Sequence, residues 1–123
     1  MGELAIDPLI ALLKDEDAIV RAYSAGALGG TKSERAVAPL IGLLKDGDSY
    51  VRRTAAESLG STGSSQAVRP LIEALEDPAR DMANAAVRAL GRIKHPDVVP
   101  LLIKALRNSA WNASDAAARA LGE

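Results

Sequence analysis

A Leu-Gly pair recurs at a fixed 31-residue interval along this chain, as Leu28-Gly29, Leu59-Gly60, Leu90-Gly91 and Leu121-Gly122. Two further series run in step with it: Asp15, Asp46, Asp77 and Asn108, and Val20, Val51, Met82 and Ala113. Self-similarity at a period of some 20 to 50 residues marks a solenoid or array. One unit of that length cannot bury its own apolar face, so successive units must stack and share a core. The period therefore divides the 123 residues into repeats 2–32, 33–63, 64–94 and 95–123. No Ser/Gly-rich linker separates them, which predicts one continuous domain.

Each block carries two amphipathic helical patterns. In the second block Val37, Leu40, Ile41 and Leu44 share one helical face, and Val51, Ala55, Ser58 and Leu59 share another. Both follow the 3.6-residue period of a helix packed on one side. The apolar residues are mostly Ala and Leu, with no Phe, which suits close approach of one helix to the next. The fold class predicted is all-α, a superhelix of four helical hairpins.

Local signals give provisional boundaries. Asp15, Asp46, Asp77 and Asn108 are good N-cap residues, and Pro78 directly after Asp77 suits a first helical position. This places the start of each second helix at the Asp series. The Gly series then reads as the helix stop. Ser33 and Ser64 are the matching caps of the first helices, and His95-Pro96 takes that place in the last block. Pro8, Pro39 and Pro70 fall in register inside the first helices, whereas Pro100 comes one position early. A proline inside a helix removes a hydrogen bond and bends it. A repeated bend is expected, with a different one in the last block.

The stretch from Ala36-Val37-Ala38-Pro39-Leu40 through Asp46-Gly47-Asp48-Ser49-Tyr50-Val51-Arg52 to Leu59-Gly60 resembles HEAT repeats, in particular the short HEAT-like repeats named after phycobilisome lyases. The resemblance covers essentially the whole chain. The proline of the first helix, the Asp and an Arg six residues later are marks of that family. Asp15 with Arg21 and Asp46 with Arg52 keep the pair, while Ala83 and Ser114 replace the Arg in the last two blocks. The resemblance implies a right-handed stack, with first helices on the convex side, second helices on the concave side and a ladder of Asp–Arg contacts between repeats. The ladder is expected to be incomplete in the C-terminal half.

Chemistry has little to attach to. With one His and no Cys, neither a multi-His nor a Cys-based metal site is available. No nucleotide-binding glycine motif is present, and Gly29-Gly30-Thr31-Lys32 reads as a helix end. The block charges are −2, 0, +1 and 0, so no basic face points to nucleic acid or to an anionic membrane. No catalytic, cofactor-binding or metal-binding residue is assigned. The N-terminus lacks a signal-peptide pattern, and a cytoplasmic location is the simplest expectation.

Function is sought instead in the variable positions of the second helices, which the resemblance turns into the concave groove. They include Ile19, Tyr23, Tyr50, Arg53, Glu57, Arg80, Asn84, Arg88, Trp111, Asp115 and Arg119. All three aromatic residues of the chain fall on this face, and Tyr, Trp and Arg are the residues enriched at interface hot spots. The reading is a non-catalytic scaffold that binds a protein or peptide partner. The resemblance also leaves open a component of a bilin lyase or isomerase. The first block opens with Leu4, Ile6, Leu9, Ile10, Leu12 and Leu13, as apolar as an internal repeat. Such an end invites self-assembly, for instance a homodimer through the N-terminal repeat.

Overall fold

The computed structural model describes residues 6–108, apart from the side chains of Leu106 and Asn108. Of the sequence-based expectations, those for Leu4, Trp111, Ala113, Ser114, Asp115, Arg119, Leu121 and Gly122 lie outside the described residues. The elements are α1 (Ile6–Leu12), α2 (Ala18–Thr31), α3 (Val37–Leu43), α4 (Ser49–Thr62), α5 (Val68–Glu73), α6 (Arg80–Ile93) and α7 (Val98–Asn108). Short 3-10 turns, Glu34–Ala36 and Ser65–Ala67, lead into α3 and α5, and another, Ala74–Glu76, follows α5. No strand occurs among the described residues. The protein is an all-α solenoid of helical hairpins.

The second helices form one layer, α2 packing on α4 and α4 on α6, while α1, α3 and α5 each pack on the second helix of their own hairpin. The core is the set of period-31 columns. Leu28, Leu59 and Leu90 are fully buried, as are Val51 and Met82 and the alanines Ala25, Ala55, Ala56, Ala85 and Ala86. Because the second helices touch mainly through Ala and Gly, their backbones approach closely. A Cβ on Gly29 would lie 2.7 Å from Ser58 Cβ, and one on Gly60 would lie 2.8 Å from Ala89 Cα. The Gly series is thus a packing device inside the helices. It does not stop them, contrary to the expectation from sequence, because α2, α4 and α6 run on to Thr31, Thr62 and Ile93. The stop is Lys32, Gly63 or Lys94, each in the left-handed region with φ of 55°, 70° and 52°.

The helix starts are corrected by two residues. The N-caps of α2 and α4 are Asp17 and Asp48, whose carboxylates accept from Ile19 N and Tyr50 N, both at 2.8 Å. Asp15, Asp46 and Asp77 lie in the preceding turn, where each carboxylate accepts the N–H two residues on, at 2.9, 2.9 and 2.8 Å. Such Asx turns compete well with helix, so the series marks the corner and not the cap. Pro78 belongs to the corner before α6, whose N-cap is Ala79. Asn108, in the same series, is still helical and is the last described residue.

The prolines also behave differently from expectation. Pro39 and Pro70 are the third residues of α3 and α5, Pro100 is the third of α7, and Pro8 lies in α1. In a first turn the missing N–H has no intrahelical acceptor to lose, so a 3-10 turn ahead of the helix replaces the expected mid-helix bend in α3 and α5. Pro100 is early in the register because its helix begins early, and no 3-10 turn precedes α7. Ser33 and Ser64 cap the 3-10 turns as expected, accepting from Arg35 N at 3.2 Å and Gln66 N at 3.3 Å. His95 does the same work through Nδ1, which accepts from Asp97 N at 3.1 Å.

Candidate functional site

Two sets of polar residues cross the boundary between repeats. The first is the ladder. Arg21 reaches from α2 to the next repeat, donating from Nε to Asp46 Oδ2 at 2.9 Å and from Nη2 to Oδ1 at 3.1 Å. Its Nη1 donates back to the carbonyls of Asp15 at 2.8 Å and Glu16 at 3.0 Å. Arg52 repeats the arrangement one step on, with Asp77 at 2.7 and 3.1 Å and the Asp46 carbonyl at 2.8 Å. Each guanidinium therefore fastens its own corner to the carboxylate of the next. Burial pushes the Asp46 carboxyl up, but the Arg21 hydrogen bonds, the Asp48 N–H and the charges of Arg21 and Arg52 outweigh it and hold the group below its ordinary value. The Asp46 hydrogen bond likewise raises Arg21. The ladder ends at Asp77, because Ala83 occupies the Arg position of α6. These contacts are structural: both partners are largely withdrawn from water and fully engaged with one another.

The second set lies on the exposed side of the second helices. Ile19, Tyr23 and Tyr50 are 73%, 80% and 54% exposed, unusual for such large apolar side chains. Glu57, Arg80, Asn84 and Arg88 are exposed as well, and Arg53 is half-buried. Tyr50, Arg53 and Arg80 come together. With Ser49, Ala79, Asp81 and Met82 they line an open cleft of about 300 Å³ between the N-terminal ends of α4 and α6. The Arg53 guanidinium lies 5.0 Å from the centre of the Tyr50 ring, within cation–π range. Its Nη1 is 3.8 Å from Asp81 Oδ2, too long for a hydrogen bond, and its Nε is buried with no acceptor. The position of Tyr50 and Arg53, three apart on one helix, follows from sequence. Their approach to Asp81 across the repeat boundary does not, since nothing in the spacing marks it. Ile19 and Tyr23 lie on α2, one repeat away, and are not part of this cleft. Trp111, Asp115 and Arg119 lie outside the described residues.

Among the described residues no group of three His, Asp or Glu side chains is placed to hold a metal ion. No helix there is long and apolar enough to cross a membrane.

The model of the family described as HEAT repeats matches residues 6–88 and 68–123. No curated protein sequence matches the chain. Among solved structures, the complex of CpcE and CpcF of phycocyanin lyase from Nostoc sp. PCC7120 is similar, with a TM-score of 0.80, 31% identity and 99% of this chain covered against 54% of that one. An engineered protein is similar at a TM-score of 0.67 and 23% identity, covering 98% of this chain and 62% of that one. Computationally designed armadillo repeat proteins for modular peptide recognition follow at 0.66 and 19%, covering 96% and 63%. The last two bear on the fold alone. The chain spans 54% of the length of the lyase chain it matches. With the family model covering the period-31 hairpins along nearly the whole sequence, the chain belongs to the HEAT repeats.

Proposed function

We propose that the chain is a non-catalytic scaffold that binds a protein partner along the exposed side of its second helices. Tyr23, Tyr50, Arg53, Arg80 and Arg88 are the anchors among the described residues, and Trp111 and Arg119 extend the set by sequence register. The observation that carries the reading is the cleft between α4 and α6. It places a half-exposed tyrosine, a guanidinium with an unsatisfied Nε and a second arginine around one open concavity. Aromatic and arginine side chains on rigid helices make contacts at little ordering cost. The likeness to a two-subunit lyase complex supports a protein partner. Affinity capture with mass spectrometry tests this, comparing the native chain with a Tyr23→Ala/Tyr50→Ala/Arg53→Ala variant of unchanged helicity. Loss of specific partners from the variant supports the groove; identical recovery overturns it.

A second reading rests on the same likeness. The chain would then be a subunit of a bilin lyase or isomerase, with the groove holding the protein to be modified. Mixing the chain with a bilin and an apo-phycobiliprotein tests it: a new chromophore absorption band supports it, and an unchanged spectrum rejects it.

A further inference from the structure

Two neighbouring arginines of α4 stand in opposite situations. Arg52 is saturated, with Nε and Nη2 donating to Asp77 and Nη1 to the Asp46 carbonyl. Arg53 lines the cleft between α4 and α6, and neither its Nε nor its Nη1 donates a hydrogen bond among the described residues. The Tyr50 ring, 5.0 Å from the guanidinium, holds Arg53 at the cleft wall by a contact that uses no N–H donor. Exposed Arg80 lines the same cleft from the start of α6. Neither arginine belongs to a repeated scaffold column. Ala22 and Asn84 stand in the column of Arg53, and Ala18 and Ser49 in that of Arg80. The start of α6 adds to the positive character of the cleft. Asp17 and Asp48 cap α2 and α4, but the N-cap of α6 is Ala79, which makes no side-chain bond to the helix end. A helix N-terminus without such a carboxylate keeps its partial positive charge.

We infer that this cleft receives the carboxylate of an Asp or Glu side chain in an extended segment of a protein partner, with an apolar residue of that segment seated on Ile19, Tyr23 and Tyr50. The inference rests on the exposed side of the second helices being the partner-binding face. Charge selects the occupant. Arg53 and Arg80 against Asp81 leave the cleft one net positive charge, which a single carboxylate balances. A phosphate group, at about −1.5 to −2, would exceed that charge beside Asp81. A nucleic-acid strand would need the site repeated along its phosphates. The matching place between α2 and α4 has Ala22 for Arg53 and Ser49 for Arg80. Spacing sets the rest of the segment. Ile19 and Tyr23 lie one turn apart on α2, and Tyr50 occupies the column of Ile19 in the next repeat, all three exposed. Neighbouring helices pack roughly 8–10 Å apart, and an extended chain advances about 3.3 Å per residue. The apolar residue and the acid of the segment are therefore about three positions apart.

Random dodecamer peptides displayed on phage and selected on the native chain test this. Enriched sequences are expected to carry Asp or Glu with an aliphatic or aromatic residue about three positions away. An enriched peptide, synthesised with a fluorescent label, is then titrated by polarisation. Replacing its acid by the amide weakens binding about tenfold, the scale of a lost charge-assisted hydrogen bond. Arg53→Gln or Arg80→Gln in the chain weakens the acidic peptide by a similar factor and leaves the amide peptide unchanged. Arg80 is exposed, so its variant carries the test even where Arg53→Gln lowers helicity. No enrichment, enrichment without an acid, or losses that simply add between peptide and chain overturn the carboxylate site. Binding that survives Arg53→Gln and Arg80→Gln but is abolished by Tyr23→Ala/Tyr50→Ala overturns that site alone and leaves the groove standing. Binding indifferent to all four substitutions overturns the groove as well.

Discussion

Gly29 and Ser58 meet so closely that a methyl group on Gly29 would stand 2.7 Å from both Ser58 Cβ and Ser58 Oγ. Ser58 uses this proximity, since its Oγ donates to the Ala25 carbonyl across the boundary at 2.7 Å. The contact sets how near α2 and α4 lie, and the Gly60–Ala89 contact does the same between α4 and α6. Gly29→Ala should therefore destabilise the fold by about 1–3 kcal/mol through overpacking, despite the better helix propensity of alanine. Gly30→Ala, where a Cβ meets nothing within 4 Å, should be neutral or stabilise by up to about 1 kcal/mol. Urea unfolding midpoints of the two variants, read side by side, check the sign difference.

Arg52 and Asp77 are among the least exposed ion-paired residues, at 14% and 9% side-chain exposure. Arg52→Met keeps the aliphatic packing but strands the Asp77 carboxylate and the Asp46 carbonyl. A cost of about 2–4 kcal/mol is expected, since removing one partner of a buried pair leaves an uncompensated charge. The double variant Arg52→Met/Asp77→Ala should be less destabilised than the sum of its parts, which a double-mutant cycle measures directly.

The Asp46 carboxyl titrates below its unfolded-state value, so it binds protons less readily in the folded chain than in the unfolded one. The stabilisation is present above the unfolded pKa of about 4 and is lost as pH falls through the folded value. Stability measured between pH 6 and pH 3 should fall, and Asp46→Asn should flatten that dependence while lowering stability at pH 6. An unchanged slope in the variant would assign the acid sensitivity to other groups.

Lys94 ends α6 with a φ of 52°, where Gly63 ends α4 with a φ of 70°. A left-handed residue with a side chain is strained by roughly 1 kcal/mol relative to glycine. Lys94→Gly should raise the melting temperature, and Gly63→Ala should lower it. Differential scanning calorimetry of the pair checks both directions.

Much of this architecture was legible in the residues. The all-helical solenoid, the burial of Leu28, Leu59 and Leu90, the interruption of the ladder at Ala83 and the caps at Ser33, Ser64 and His95 all follow from pattern and local chemistry. The boundaries did not. An Asp two residues ahead of a cap and an Asp at the cap serve equally well in a list of spacings, and only the hydrogen bonds that the N–H groups of Asp17, Asp48 and Ala79 donate to Asp15, Asp46 and Asp77 separate them. Ile19, Tyr23 and Tyr50 are exposed on the second helices, but the cleft that joins Arg53 to Asp81 had no sequence signal.

The sequence by itself determined the period, the helical hairpin and which columns are apolar, because these depend on residues within one block. The tertiary structure alone decided what each column faces. A strict repeat puts Asp15 and Asp46 at equally regular distances from Arg21, and the stacking offset of one hairpin on the next makes Asp46 the side-chain partner. The same offset turned Gly29 from a helix stop into a helix contact, because steric closeness arises between blocks and the 31-residue spacing repeats without regard to it.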